Sequence, residues 1–162
     1  MAATSDLSHR FNGESVGRAL ALVGERWTLL ILREAFFGVR RFGQLARNLG
    51  IPRPTLSSRL RTLVEAGLLE RAPYARDPDR FEYTLTPAGR DLFPAIVALM
   101  QWGDEHLAGS EGPPIVLRHH ACGELADPHL TCRHCGEEID AHSVTPEAGP
   151  GFRGQRPAEA LG

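Results

Sequence analysis

The chain of 162 residues is 42% hydrophobic and 23% charged, which suits one ordinary soluble domain plus an appendage and leaves no room for a second full domain. It has no run of about 18 apolar residues, and residues 1 to 10 lack the pattern of a secretory signal, so no membrane association is expected and a cytoplasmic location is. A formal net charge of −2 argues against a wholly basic nucleic-acid binder, yet Arg40, Arg41, Arg47, Arg53, Arg59 and Arg61 fall between Ala35 and Val64 with no acidic residue among them.

Residues 1 to 13 show no periodicity and read as a flexible leader. The domain proper is expected over 14 to 108. Its first helix covers Glu14 to Val23, where Val16, Ala19, Leu20 and Val23 recur at spacings of three and four, and Gly24 breaks it. Glu25 to Phe37 reads as a second, nearly all-buried helix and the hub of the core, because Trp27, Leu29, Leu30, Ile31, Leu32, Phe36 and Phe37 leave only a thin polar side. Arg41 to Leu49 is a short third helix closed by Gly50.

After the turn Gly50-Ile51-Pro52, a fourth helix starts at Arg53 or Pro54, since proline is tolerated in a first turn, and runs to Ala66. Its packing stripe is Leu56, Leu60, Leu63 and Val64. A step of about 100° per residue puts Thr55, Ser58, Arg61 and Thr62 on the opposite face, with Ser57 and Arg59 on the flanks. Leu68 to Ala72 and Phe81 to Leu85 then read as a β-hairpin whose loop, Pro73 to Arg80, is too long for a two-residue turn and projects as a wing. Thr86-Pro87 opens a long helix to Leu107, kinked near Pro94. Its Leu92, Phe93, Ile96, Val97, Leu99, Met100 and Trp102 exceed what one small domain covers, so a partner surface is implied.

The resulting fold class is mainly α with a small β-hairpin, a winged helix-turn-helix, plus a short C-terminal zinc-ribbon-like appendage. The major groove, about 12 Å wide, admits a single helix, and only side chains opposite the packing stripe reach base edges. Thr55, Ser58 and Thr62 suit that place, Ser57 on the flank is a further DNA-binding candidate, and Arg40, Arg41, Arg53, Arg59 and Arg61 suit the phosphates at the groove margin. Arg76 and Arg80 at the wing tip are candidates for the adjacent minor groove, weakened by Asp77 and Asp79. Against this stands a plainer alternative: an arginine-rich helical face can be a solvated surface, and winged helices also serve as protein-interaction scaffolds.

The segments Gly24-Glu25-Arg26-Trp27-Thr28-Leu29-Leu30-Ile31-Leu32-Arg33, Leu56-Ser57-Ser58-Arg59-Leu60, Glu65-Ala66-Gly67-Leu68-Leu69 and Tyr83-Thr84-Leu85-Thr86-Pro87-Ala88-Gly89 resemble the HxlR family of bacterial transcriptional regulators over residues 14 to about 107. The resemblance implies a homodimer on double-stranded DNA near promoters, with the first and last helices as the subunit interface. This chain departs from the family pattern in two places. Glu14-Ser15-Val16 stands where many relatives carry a sensing cysteine, which excludes thiol sensing at that position, and Pro52 replaces the usual serine before the recognition helix.

Gly109 to Pro114 reads as a linker, 115 to 142 as a zinc-ribbon-like module and 143 to 162 as a disordered tail rich in Gly and Pro. All three cysteines lie between positions 122 and 135, an odd number that argues against a disulfide framework. His119-x-x-Cys122-Gly123 and Cys132-x-x-Cys135-Gly136 are two similar knuckles, the spacing of a small structural Zn2+ site, with His120, His129 and His134 competing with His119 for the fourth place. A metal-free appendage and a redox pair of Cys132 with Cys135 are the alternatives, and a catalytic zinc is less expected because it needs a general base in a pocket. The role of such a ribbon stays open between bracing a dimer and shaping the site of a small-molecule effector of unknown identity. No enzymatic activity is expected.

Overall fold

The computed structural model describes residues 15–76, 79–145 and 150, with the backbone alone described at 75, 76 and 79. The expectations for the leader and for most of the tail lie outside the described residues. The chain divides at Pro114 into two units.

In the first unit, α1 spans Ser15–Val23 and buries only Val23. Gly24 ends it by necessity of space: its N–H bonds the Leu20 carbonyl at 2.7 Å, and a Cβ there would lie 2.6 Å from that same oxygen. Glu25 caps α2, Arg26–Phe36, its carboxylate accepting from the Trp27 N–H at 3.1 Å. Helix α2 touches α1, α3, α4, α6 and the hairpin, as a hub should. The expectation that it is nearly all buried needs correction. Ile31 and Leu32 are fully enclosed, but Trp27, Leu29, Leu30 and Phe36 are half-buried and Phe37 is exposed, because its neighbours cover one stripe and not the whole cylinder. Glu34 is buried on that stripe, its carboxylate held by Arg33 at 2.9 Å and by the Asn48 amide at 2.7 Å, which satisfies the charge and ties α2 to the next helix.

Helix α3 is Phe42–Leu49 and α4 is Arg53–Glu65, joined by a turn in which Gly50 is left-handed and Pro52 is the N-cap residue without a side-chain cap. The departure at Pro52 thus costs the helix its usual hydroxyl cap, while Pro54 in the first turn gives up no hydrogen bond. Leu56, Leu60 and Leu63 of α4 join Ile31, Leu32 and Leu45 in one buried cluster. Each such side chain is worth about 1.5–3 kcal/mol of burial.

Strands β1, Leu69–Arg76, and β2, Asp79–Leu85, pair antiparallel from Leu69 opposite Leu85 to Arg76 opposite Asp79. The expected long loop is therefore corrected: pairing continues past Pro73, and only positions 77 and 78 separate the strands. The ladder absorbs Pro73, which lacks an N–H, through an irregularity between Pro73 and Ala75, after which it resumes. On the other edge of β2, Arg41 bridges Glu82 and the Tyr83 N–H bonds the Arg40 carbonyl at 2.8 Å, so residues 40–41 add a short third rung.

The single kinked helix expected after Thr86 is two helices, α5 over Pro87–Arg90 and α6 over Phe93–Leu107. Pro94 has no N–H to offer the Arg90 carbonyl and its ring would collide with it, so the helix breaks at Asp91-Leu92 and restarts with the proline in its first turn. Thr86 caps α5, accepting from the Gly89 N–H at 3.0 Å, and donates to the Gly67 carbonyl at 2.6 Å. Gly109–Glu111, expected as linker, forms a short 3-10 turn.

The second unit, from Ile115 onward, holds two short bridges, Arg118 with Leu125 and Thr131 with Glu138, and none of its described residues is buried. Among the described residues of the whole chain, no helix is long and apolar enough to cross a membrane.

Candidate nucleic-acid interface

Because α4 packs through every third or fourth residue, what remains on its other side is fixed by the sequence. Ser57, Ser58, Arg61 and Thr62 are exposed, and the Thr62 hydroxyl back-bonds to the Ser58 carbonyl at 3.1 Å. Thr55, expected to face outward, is half-buried near the start of the helix. Arg59 is also half-buried, its Nε 3.2 Å from the Glu25 carboxylate. That Nε–H is shielded from solvent and not aimed at the oxygen, so the contact is a pairing of charges rather than an aligned hydrogen bond.

The flanking arginines differ in how they are held. Arg53 is exposed beside the Phe42 ring, 5.8 Å from its centroid. Arg41 stacks 4.5 Å from the Tyr74 centroid while its Nε donates to Glu82 at 3.2 Å, which opposes its charge but fixes it at the edge of the wing. Arg40 and Arg80 are exposed, and Arg76 lies at the end of β1, its side chain outside the described residues. The structure thus gathers Ser57, Ser58, Arg61 and Thr62 on one helix face with Arg53 at its N-terminal end, and it engages Arg59 and Arg41 with acidic partners.

A groove of about 350 Å³ runs beside this face, lined by Ser57, Arg61, Glu65, Arg71 and Tyr83 among others. Arg71 is not among the sequence-derived candidates. It stands 3.4 Å from the Phe81 centroid, and only the strand register, which sets it opposite Tyr83, brings it alongside α4. Residue alternation places a strand but not the helix face it borders.

In the second unit, His119 Nδ1 is 3.3 Å from Cys122 Sγ. The Cys132 thiol is held below its ordinary range by the N–H groups of Cys135 and His134 and by the Cys135 side chain. His129 Nδ1 lies 3.4 Å from the Asp127 carbonyl instead. The four expected ligands stand as two pairs; among the described residues, no three His, Cys, Asp or Glu side chains form a set that could hold one metal ion.

A short helix, a tight turn, a helix with a polar outer face and a paired hairpin make a winged helix-turn-helix, the architecture of a DNA-binding protein. The family profile described as HxlR-like helix-turn-helix matches residues 22–111, more than half of the chain, and the chain belongs to that family of transcriptional regulators. An uncharacterized HTH-type transcriptional regulator of Mycobacterium tuberculosis is 80% identical over 151 residues, covering 93% of this chain and 96% of that one. Another from Synechocystis is 41% identical over 87 residues, 53% of this chain and 64% of its own length. Among solved structures, PA1607, described as a candidate transcription factor, superposes with a TM-score of 0.76 at 32% identity over 88% of this chain and 99% of its own. The redox regulator HypR in its reduced form gives 0.53 at 30% identity over 56% of this chain and 90% of its own.

Proposed function

We propose that the protein regulates transcription as a homodimer on an inverted-repeat operator, with α4 lying in the major groove. The observation that carries this reading is the division of α4 itself: Leu56, Leu60 and Leu63 are sealed in the core while Ser57, Ser58, Arg61 and Thr62 stand exposed along the other side. Hydroxyls of that size serve either hydrogen-bonding sense at a base edge, and a guanidinium binds phosphate or guanine. Arg40, Arg53 and Arg80 add positive charge at the margins, where affinity for DNA mostly resides.

The dimer is supported by apolar surface that the single chain leaves wet. Val16 and Leu20 of α1 and Leu99, Trp102 and Leu107 of α6 are all more than half exposed, from 55% at Leu20 and Leu99 to 72% at Leu107. Both helices pack on α2, and such surface is costly for a monomer in water. Two copies related by a twofold axis would set their α4 helices about 34 Å apart, one turn of B-DNA, or a multiple of it. Footprinting of the purified protein on DNA upstream of its own gene tests the reading. Two protected half-sites in inverted orientation are expected, and a single asymmetric half-site contradicts it.

A further inference from the structure

We infer that the His119–Cys122 and Cys132–Cys135 pairs, which stand apart from one another, are drawn onto one structural zinc ion that holds the second unit together. The backbone of this unit repeats itself. The Gly123 N–H bonds the His119 carbonyl at 2.8 Å, and the Gly136 N–H bonds the Cys132 carbonyl at 2.7 Å. The His119 N–H bonds Glu124 at 2.9 Å as the Cys132 N–H bonds Glu137 at 2.8 Å, and the Ala126 N–H bonds Leu117 at 2.7 Å as the Ile139 N–H bonds Leu130 at 2.8 Å. The bridges Arg118 with Leu125 and Thr131 with Glu138 keep the same constant offset along the chain. Gly123 and Gly136 both take a left-handed φ, 77° and 79°, which a side chain would resist.

This internal symmetry makes His119 the counterpart of Cys132, and Cys122 the counterpart of Cys135. Each turn therefore presents two donors from equivalent places, as the two halves of a tetrahedral site require. It also decides among the histidines. His120 and His134 sit inside the turns, where the counterparts are Arg133 and Ala121, neither of which ligates zinc. His129 lies beside the Asp127 carbonyl, whereas His119 Nδ1 is already 3.3 Å from the Cys122 sulfur. An N–S edge of about 3.5 Å follows from zinc bonds of about 2.0–2.1 Å to nitrogen and about 2.3 Å to sulfur.

Little else in the segment would hold it together. From Ile115 to Thr145 no residue is buried, and Leu117, Ala126, Cys132 and Ile139 are the ones even partly covered. A chain segment this short and this exposed lacks the apolar burial to offset its ordering entropy, so a cross-link must supply it. A disulfide between Cys132 and Cys135 would close one turn only and leave the matching His119–Cys122 turn without a function. A single ion bound by both turns closes the unit, and drawing the two pairs onto it is the folding step that binding drives.

The test is metal analysis of the full-length protein, purified under reducing conditions and offered zinc, followed by exchange for cobalt. One zinc per chain is expected, with tetrahedral ligand-field bands and thiolate charge transfer from the cobalt form. Cys132→Ser and Cys135→Ser should lose the metal and His119→Ala should bind it at least tenfold more weakly, while His129→Ala should keep it in full. Should the cysteine variants prove insoluble, thiol titration of the unaltered protein decides the matter: three thiols slow to react before a strong chelator and fast after it are expected. Well under one equivalent of bound metal, thiols equally reactive with and without chelator, or an isolated Cys132–Cys135 disulfide in the native protein overturns the site.

Discussion

The Arg59 guanidinium lies 3.2 Å from the Glu25 carboxylate, so the residue in the middle of α4 is tied to the N-cap of α2. This pairing separates two arginines that the sequence treats alike. Arg61 is exposed and has no ion pair among the described residues, whereas Arg59 brings a counter-charge with it. Arg61→Ala is expected to weaken DNA binding more than Arg59→Ala and to lower the salt slope by about one unit, the loss of one phosphate contact. Glu25→Gln, which removes the counter-charge, should strengthen binding at low salt. Fluorescence anisotropy across a salt series checks all three, and equal effects of the two arginine variants would count against the pairing.

Gly89 marks a close approach between α5 and the base of the hairpin. A Cβ there would lie 2.1 Å from the Leu68 carbonyl oxygen and 3.1 Å from a Leu85 methyl, and the backbone oxygen cannot step aside. Gly89→Ala should therefore destabilise the fold by about 1–3 kcal/mol or more, the usual cost of overpacking. Urea unfolding measures this, and a stability within error of the parent would show that the contact is loose.

Leu60 is 1% exposed at the centre of α4. Leu60→Ala should cost about 2–5 kcal/mol, the sum of lost burial and the cavity left behind. The same denaturation experiment reads it. DNA affinity should fall only in proportion to the unfolded fraction, because Leu60 faces away from the exposed polar side.

Leu20 and Trp102 test the homodimer without touching the core, since both are more than half exposed in the single chain. Leu20→Glu or Trp102→Glu should leave the secondary structure intact and convert the dimer to monomer in sedimentation equilibrium. Operator affinity should fall with it by tenfold or more, since a monomer engages one half-site. A parent protein that sediments as a monomer contradicts the dimer outright.

Much of this was legible in the residues themselves. The apolar spacing of Leu56, Leu60 and Leu63 placed α4, and Gly24, Gly50 and Gly67 marked the helix ends, the last two in left-handed caps, because periodicity and helix-ending glycines are local properties. Beside the half-buried side chains of α2 and of Thr55, two departures arise at prolines. Pro94 reads as a kink when its steric demand on the Arg90 carbonyl breaks the helix altogether, and Pro73 reads as the start of a loop when a local irregularity lets the strands continue. What composition could not show was pairing between distant positions. Glu25 with Arg59, Arg41 with Glu82 and Arg71 beside the groove all depend on tertiary register, and they change which of the basic residues stand unopposed.

Whether the exposed face of α4 binds duplex DNA is measured most directly by the affinity of the full-length protein for its upstream DNA as a function of salt, with Ser58→Ala, Arg61→Ala and Thr62→Ala compared against the parent. Binding that weakens steeply with salt, a shallower slope for Arg61→Ala, and reduced discrimination against unrelated DNA for the Ser58 and Thr62 variants are predicted. Binding that all three variants leave unchanged, or no salt-sensitive binding at all, would contradict a DNA-binding role for that face.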